Sequence, residues 1–504
     1  MAISVLNIIR NSLKFSSVNL LTGLISLPVS VYVATIILPE EYGVFGFLGL
    51  WLMYATLIRP GLTMSGYREI PVLLGKGEEK EALKVQNIAV TSDMLYSVLP
   101  VIVILGASFF YTEPLLKIGL VLTAISYGAT QLANYWDGVN FLRQKFNVVA
   151  RARLIAAIVL PLVIVASVYW LKVYALIIAP IVLAMFLGIY YRKWGPINFH
   201  FTFNWQETVR LVKPGIVLQS VALLFWAFRL ADRTIIASTL SLEQLGLYTF
   251  AIGFITRMLM IPRDFNNVLQ PILYKELGRA SSIYEGFKDT MRIAVYMALG
   301  VSVLIPLAQF GFYLIVSLIT VNYVGSIPVF YILSYNVYLA SVGAVADMIL
   351  MSKVVNKQKI SLCIYSIGLA VNIIFDLLVI KLGYGVVGVA WVTICTQGLV
   401  TLTLYYLTKN YMFQKAKDYL RFQIAIWVPF LLTIPFYFLH NYLSVVAPNM
   451  WTFAGVSLAA QAILWGLVIG VFYRSYLPIS DIRAIIKEIS MTVMGKLPEN
   501  GDGL

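Results

Sequence analysis

FWAFRLADRTIIASTLSLEQLGLYTF, residues 225–250, is an apolar run interrupted by Arg229, Asp232 and Arg233. A helix advances about 100° per residue, so positions i, i+3 and i+4 share a face and the three charges point the same way. If this helix crosses a membrane, that face avoids lipid. A central arginine costs roughly 2.5–3.5 kcal/mol to insert, and such residues usually face a bundle interior or a watery cavity. Two readings stand side by side: a functional cationic patch, or a structural knot in which Asp232 neutralises its neighbours.

Apolar residues make up 60 % of the 504 and charged residues 12 %, with a mean hydropathy of +0.85. Soluble chains lie nearer about 45–50 % apolar and about 25 % charged, so this is an all-α polytopic membrane protein. A net charge of +14 would point to nucleic acid in a soluble chain. Here the basic residues must first be tested against topology. Cys363 and Cys395 both fall in apolar helices, which argues against a disulfide framework and for small buried side chains. His200 and His440 are the only histidines, and neither has a partner at metal-ligand spacing. No metal, cofactor or catalytic residue is assigned. The apolar run from the amino terminus to about Leu38 is too long for a signal-peptide core and is read as a retained first helix.

Apolar runs of about 20 residues give fourteen spans. They lie near 13–37, 43–63, 88–110, 115–137, 151–170, 172–191, 211–238, 246–265, 289–317, 324–351, 360–381, 384–408, 420–442 and 450–473, followed by an amphipathic stretch, Ser480–Ile489. Of the 37 basic residues, only Lys117, Lys172 and Lys381 fall on outer segments, while Arg229 and Arg233 fall within the membrane. The positive-inside rule therefore places both termini in the cytoplasm, in a multi-pass cell membrane protein, and a nucleic-acid reading is unnecessary. No outer loop is long enough for a catalytic domain. The extended inner loops, 64–87, 192–210 and 266–288, include YREIPVLLGKGEEKEALK (67–84), read as an interfacial helix.

Shifting the chain by 203 residues lays VYVATIILPEEYGVFGF (31–47) over TIIASTLSLEQLGLYTF (234–250). Ala34 meets Ala237, Glu40 meets Glu243, Gly43 meets Gly246 and Phe47 meets Phe250, and the same shift pairs Leu74 and Gly75 with Leu277 and Gly278. The expected architecture is two pseudo-symmetric six-helix lobes in parallel orientation plus two C-terminal helices. The divisions are 1–191 (N-lobe), 192–210 (cytoplasmic linker), 211–408 (C-lobe), 409–479 (helices thirteen and fourteen) and 480–504 (cytoplasmic tail). Two such bundles around a central cavity can rock about a midplane site and give alternating access. At this shift Arg229, Asp232 and Arg233 correspond to Ser26, Val29 and Ser30, so only the second lobe carries the charge.

The pairing of ILPEEYGVFGF (37–47) with ADRTIIASTLSLEQLGLY (231–248) resembles the polysaccharide or O-antigen flippases, the Wzx-like branch of the multidrug/oligosaccharidyl-lipid/polysaccharide exporter superfamily. NIIFDLLVIKLGYGVVGVAWVT (372–393), Pro271 and Arg68 resemble further features of that family, and the likeness runs to about residue 408. The resemblance implies a non-enzymatic flippase moving a polyprenyl-diphosphate-linked oligosaccharide between leaflets, for cell-surface polysaccharide or glycan synthesis. Its partners are that glycan lipid, membrane lipids, and a glycan polymerase or glycosyltransferases.

An arginine fork suits a diphosphate, which makes Arg229 and Arg233 the expected contacts, oriented by Asp232. Arg59 and Arg257 would attract the anionic head group, or else snorkel to the interface. Asp376 is the candidate for a coupling proton or an arginine partner; Asp93, Asp137 and Asp347 lie near inner helix ends, where solvated or ion-paired roles are as reasonable. Trp136 in NYWDG (134–138) either stacks a sugar or belongs to an aromatic belt. The competing functions are a lipid II flippase, an ion-coupled multidrug exporter, and a membrane glycan polymerase or ligase. The last is disfavoured because such enzymes are expected to carry a sizeable outer loop.

Overall fold

The computed structural model describes residues 22–23, 25–57, 62–143, 145–195, 197–279, 283–352, 354–446 and 449–472; inside helices some side chains, that of Arg229 among them, lie outside the described set. The amphipathic stretch expected at Ser480–Ile489 also lies outside it. The described chain is helical almost throughout. Its helices are α1 (Ile25–Ile36), α2 (Pro39–Leu57), α3 (Leu62–Gly75), α4 (Glu79–Ser108), α5 (Pro114–Leu142), α6 (Phe146–Leu171), α7 (Val173–Trp194) and α8 (Trp205–Thr239). They continue as α9 (Leu242–Arg279), α10 (Ile283–Leu318), α11 (Ile327–Met351), α12 (Gln358–Lys381), α13 (Gly385–Met412), α14 (Ala416–Val446) and α15 (Met450–Leu467).

Within the described residues, every apolar stretch found in the sequence lies on one of these helices. Eleven are long and apolar enough to cross a membrane: α4 to α7 and α9 to α15. The chain is thus an all-α multi-pass membrane protein, but a count of fourteen spans is not reached on length and composition. The apolar length described for α1 is short, α2 opens on Glu40 and Glu41, and α8 carries Lys213 besides its central charges.

Local chemistry sets the breaks. Asn204 and Asn449 cap α8 and α15, each side-chain oxygen accepting a backbone N–H, from Glu207 at 3.1 Å and Thr452 at 2.9 Å. Lys172 alone separates α6 from α7, at φ 47°, which reverses the chain within one residue. Gly383 and Gly385 supply positive φ between α12 and α13.

The described chain folds into two compact units, one of residues 22–250 with Ile373–Val386, the other of Ala251–Asn372 and residues 387–472. In the first, α5 is the hub, packing on α4, α7 and α2 through Leu120, Ala124 and Tyr127 against Val44, Leu48 and Ile177. The stretch expected to be interfacial packs on its neighbours through one face. α3 buries Ile70 against Ala82, Val85 and Leu211, because its apolar face meets α4 and α8. Glu69 on the same helix accepts two bonds from Arg210, at 2.8 and 3.0 Å. Together with Glu207 it holds the Arg210 guanidinium charged well above its ordinary range.

In the second unit α10 packs on α11, α14 and α15. The rings of Phe312 and Phe330 stack there with centroids 3.9 Å apart, and Phe254 meets both edge-on. Buried hydroxyls bond backbone carbonyls, Tyr335 to Thr433 and Tyr405 to Val342, because a membrane interior offers no water to satisfy them. His440 is fully buried and its Nε2 lies 2.6 Å from Ser457 Oγ. Cys363 and Cys395, expected to be buried, are exposed thiols: a small apolar side chain sits as readily on a lipid-facing surface as in a core.

Within the first unit the two stretches paired by the 203-residue shift touch each other. A Cβ on Gly43 would lie 1.8 Å from the Leu242 carbonyl oxygen, and one on Gly246 would lie 1.8 Å from the Pro39 carbonyl oxygen. Leu242 and Gly246 are Pro39 and Gly43 displaced by 203 residues. Residue i touches j′ while j touches i′, so the contact is reciprocal under that shift.

Candidate functional site

The interruption of α8 after Thr239 turns the chain straight into α9. That return brings Tyr248 beside Asp232, sixteen residues earlier, and its hydroxyl donates to Asp232 Oδ2 at 2.7 Å. Asp232 is 4 % exposed and Tyr248 fully buried. On the other side α2 packs on α8 around Leu230, with Leu50 and Leu57. The packing sets Tyr54 Oη 2.5 Å from Thr234 Oγ1, and Thr234 in turn donates to the Leu230 carbonyl at 2.8 Å.

Arg233 lies within this frame. Its electrostatic neighbours are Tyr248, Asp232 and Tyr54, and its Nε is buried without a hydrogen-bond acceptor among the described residues. A guanidinium donates through five N–H groups and accepts none, so an Nε free to donate suits an incoming anion. The sequence has Asp232 orienting the arginines; the structure gives its Oδ2 a phenol donor from another helix as well.

Arg59 and the Arg229 side chain lie outside the described residues. Arg257 belongs to the second unit, where it is partly buried, donates to the Gly253 carbonyl at 2.9 Å and sits 5.9 Å from the Phe254 ring centroid. Asp376 is fully buried on α12. Asp93 and Asp347 are buried too, at 0 % and 8 % exposure, so neither is a solvated helix-end acid. Asp347 accepts a short hydrogen bond from Ser361 on α12, and Asp137 accepts one from Tyr191 at 2.6 Å. Trp136 packs on Phe199, with ring centroids 6.5 Å apart.

Tyr54 and Tyr248 carry no signal in the sequence. Tyrosine is frequent here, with 31 in the chain, and nothing in its spacing distinguishes these two before the helices pack. Among the described residues no group of His, Cys, Asp and Glu is placed to hold a metal ion.

A family model described as "Polysaccharide biosynthesis protein" matches residues 32–292. No curated protein matches the chain. Among solved structures, the lipid II flippase MurJ in an inward closed conformation aligns with TM-score 0.65 at 15 % identity, covering 92 % of this chain and 99 % of its own. An inward-facing multidrug resistance MATE family transporter of the MOP superfamily aligns with TM-score 0.56 at 14 % identity, over 81 % and 95 %. A MOP superfamily transporter from Pyrococcus furiosus aligns with TM-score 0.52 at 14 % identity, over 83 % and 96 %. At these identities the likeness is one of fold.

Proposed function

The chain belongs to the polysaccharide biosynthesis protein family, and on that premise we propose that it is a flippase translocating a polyprenyl-diphosphate-linked oligosaccharide across the cell membrane. A diphosphate and its polar sugars need a wet, cationic route through a low-dielectric slab, while the hydrocarbon tail stays among the lipids. The observation that carries the reading is Arg233, a cation within α8 whose buried Nε has no acceptor among the described residues and whose neighbours are two phenols and one carboxylate. Such a donor binds a phosphate oxygen directionally, and Asp232 and Tyr248 keep the charge oriented rather than cancelled.

Transport proceeds by alternating access of the two repeat lobes, 1–191 and 211–408, with helices thirteen and fourteen appended and both termini cytoplasmic. Arg229 contributes a second cation one turn from Arg233, Arg59 and Arg257 recruit the head group, and Asp376 is the coupling acid. The repeat, the positive-inside charge pattern and the family membership support this arrangement.

Reconstitution into vesicles with a fluorescent polyprenyl-diphosphate oligosaccharide tests it. Wild-type protein moves the label between leaflets, whereas Arg233→Ala and Arg229→Ala each slow it by about tenfold or more, the loss of a charge-assisted contact. Lipid II offered in parallel distinguishes the cargo. Wild-type rates from well-inserted variants would overturn the assignment of the site.

A further inference from the structure

A second feature, independent of the transported cargo, lies on the outer surface of the first unit. α5 and α7 both end at the pole where basic residues gather, with Arg143 and Lys145 after α5 and Arg192 and Lys193 closing α7. Between these helices is an elongated groove of about 530 Å³. Small side chains make it: Ala129 and Ala133 on α5 and Ala184 and Gly188 on α7 repeat at i, i+4, so the line on α7 leads one turn later to Arg192. A Cβ on Gly188 would meet no atom within 4 Å, so the space there is open. The flanks are Leu132 and Met185, 51 % and 64 % exposed, as side chains facing hydrocarbon are. At the mouth, Trp136 and Ile197 form an apolar floor beside the Arg192 guanidinium, which has no carboxylate partner among the described residues.

We infer that this groove holds an acyl chain of an anionic phospholipid of the inner leaflet, with the headgroup phosphate on Arg192. The occupant follows from the two ends of the site. An apolar groove open to its surroundings accepts a chain, and a cation at its mouth without a carboxylate partner among the described residues selects negative over zwitterionic headgroups. Trp136 lines the same groove as Arg192, and the meeting of chain and headgroup is the ordinary place of an interfacial tryptophan. The neighbouring Lys193 does not complete the site, since its ammonium sits 5.3 Å from the Trp194 ring centroid.

The test uses the full chain in bilayers of phosphatidylcholine doped with phosphatidylglycerol, either lipid being brominated on its acyl chains. Quenching of Trp136 is isolated by subtracting the spectrum of Trp136→Phe. Brominated phosphatidylglycerol is expected to quench at about fivefold lower mole fraction than brominated phosphatidylcholine, the advantage of one cation near the surface. Arg192→Gln should erase that preference. Gly188→Leu, which fills open space, should remove the quenching by either lipid at low fraction without lowering the Tm. Native mass spectrometry provides a readout that needs no tryptophan variant, with wild-type protein retaining one more phosphatidylglycerol than Arg192→Gln. Equal quenching by both lipids, or a preference that persists in Arg192→Gln, would reduce the groove to ordinary boundary lipid and sink the inference. Relief of quenching by equimolar polyprenyl phosphate would also overturn it, assigning the groove to the tail of a transported lipid.

Discussion

Gly43 and Gly246 meet backbone to backbone: each occupies the one position where a side chain would strike the carbonyl oxygen of its partner's helix start, Leu242 for Gly43 and Pro39 for Gly246. The clash distance is 1.8 Å in both directions. This reciprocity makes a repeat that rests on few identities physically credible, because two unrelated helices have no reason to make the same contact twice. Gly46 extends the seam, since a Cβ there would meet Thr249 Oγ1 at 2.6 Å.

Gly43→Ala and Gly246→Ala should each lower stability by about 1–3 kcal/mol, the usual cost of overpacking. Because either change already pushes the two helices apart, the double variant should cost clearly less than the sum of the singles. Thermal unfolding in detergent measures this, with Gly106→Ala, where a Cβ meets nothing within 4 Å, as the control. Strict additivity would mean that the two glycines do not share one contact.

Tyr248→Phe removes the donor from Asp232 Oδ2 and leaves a buried carboxylate short of a partner. A loss of roughly 1.5–3 kcal/mol is expected for a hydrogen bond to a charged group. Chemical unfolding gives the stability. In the vesicle assay, a flipping rate lowered at a temperature where the variant remains folded separates orientation of the site from stability alone.

Glu69→Gln cuts the two-pronged bond to Arg210, yet its effect should be small. Glu69 and Arg210 side chains are 31 % and 48 % exposed, and exposed ion pairs are worth about 0.2–1 kcal/mol. The difference from wild type should shrink further in 1 M salt, where the screening length falls to about 3 Å. A loss several times larger would show that α3 is held on α8 chiefly by charge rather than by Ile70.

Ser457→Ala should be costlier than its size implies. His440 Nδ1 is already buried without a partner among the described residues, and Ser457 supplies the neighbour of Nε2 at 2.6 Å. Losing it leaves both ring nitrogens unsatisfied, for about 1–3 kcal/mol. Ser444→Ala, at an exposed position on α14, the helix of His440, is the reference and should be near neutral. Equal unfolding midpoints for the two variants would count against this account.

The helical segments are legible in the sequence because each must satisfy its own backbone in lipid, so an apolar run of the right length already specifies the element. The exact span count is less legible: α1, α2 and α8 are short in their described part, acidic or charged, and composition alone does not rank them. That α3 buries Ile70 against Ala82, Val85 and Leu211 is not legible either, because nothing in those residues marks them as its partners. For the same reason Asp93 and Asp347 look like solvated helix ends, whereas neighbouring helices bury them.

By itself the sequence determined the class of protein and the helical segments. Both depend on hydrophobicity and period, which are local properties. Only the tertiary structure decided that Tyr54 and Tyr248 are electrostatic neighbours of Arg233, that Asp232 takes a phenol as donor, and that the two glycines face one another. Those facts rest on which helix packs against which, and on distances of a few ångströms between residues far apart in the chain, which no local pattern encodes.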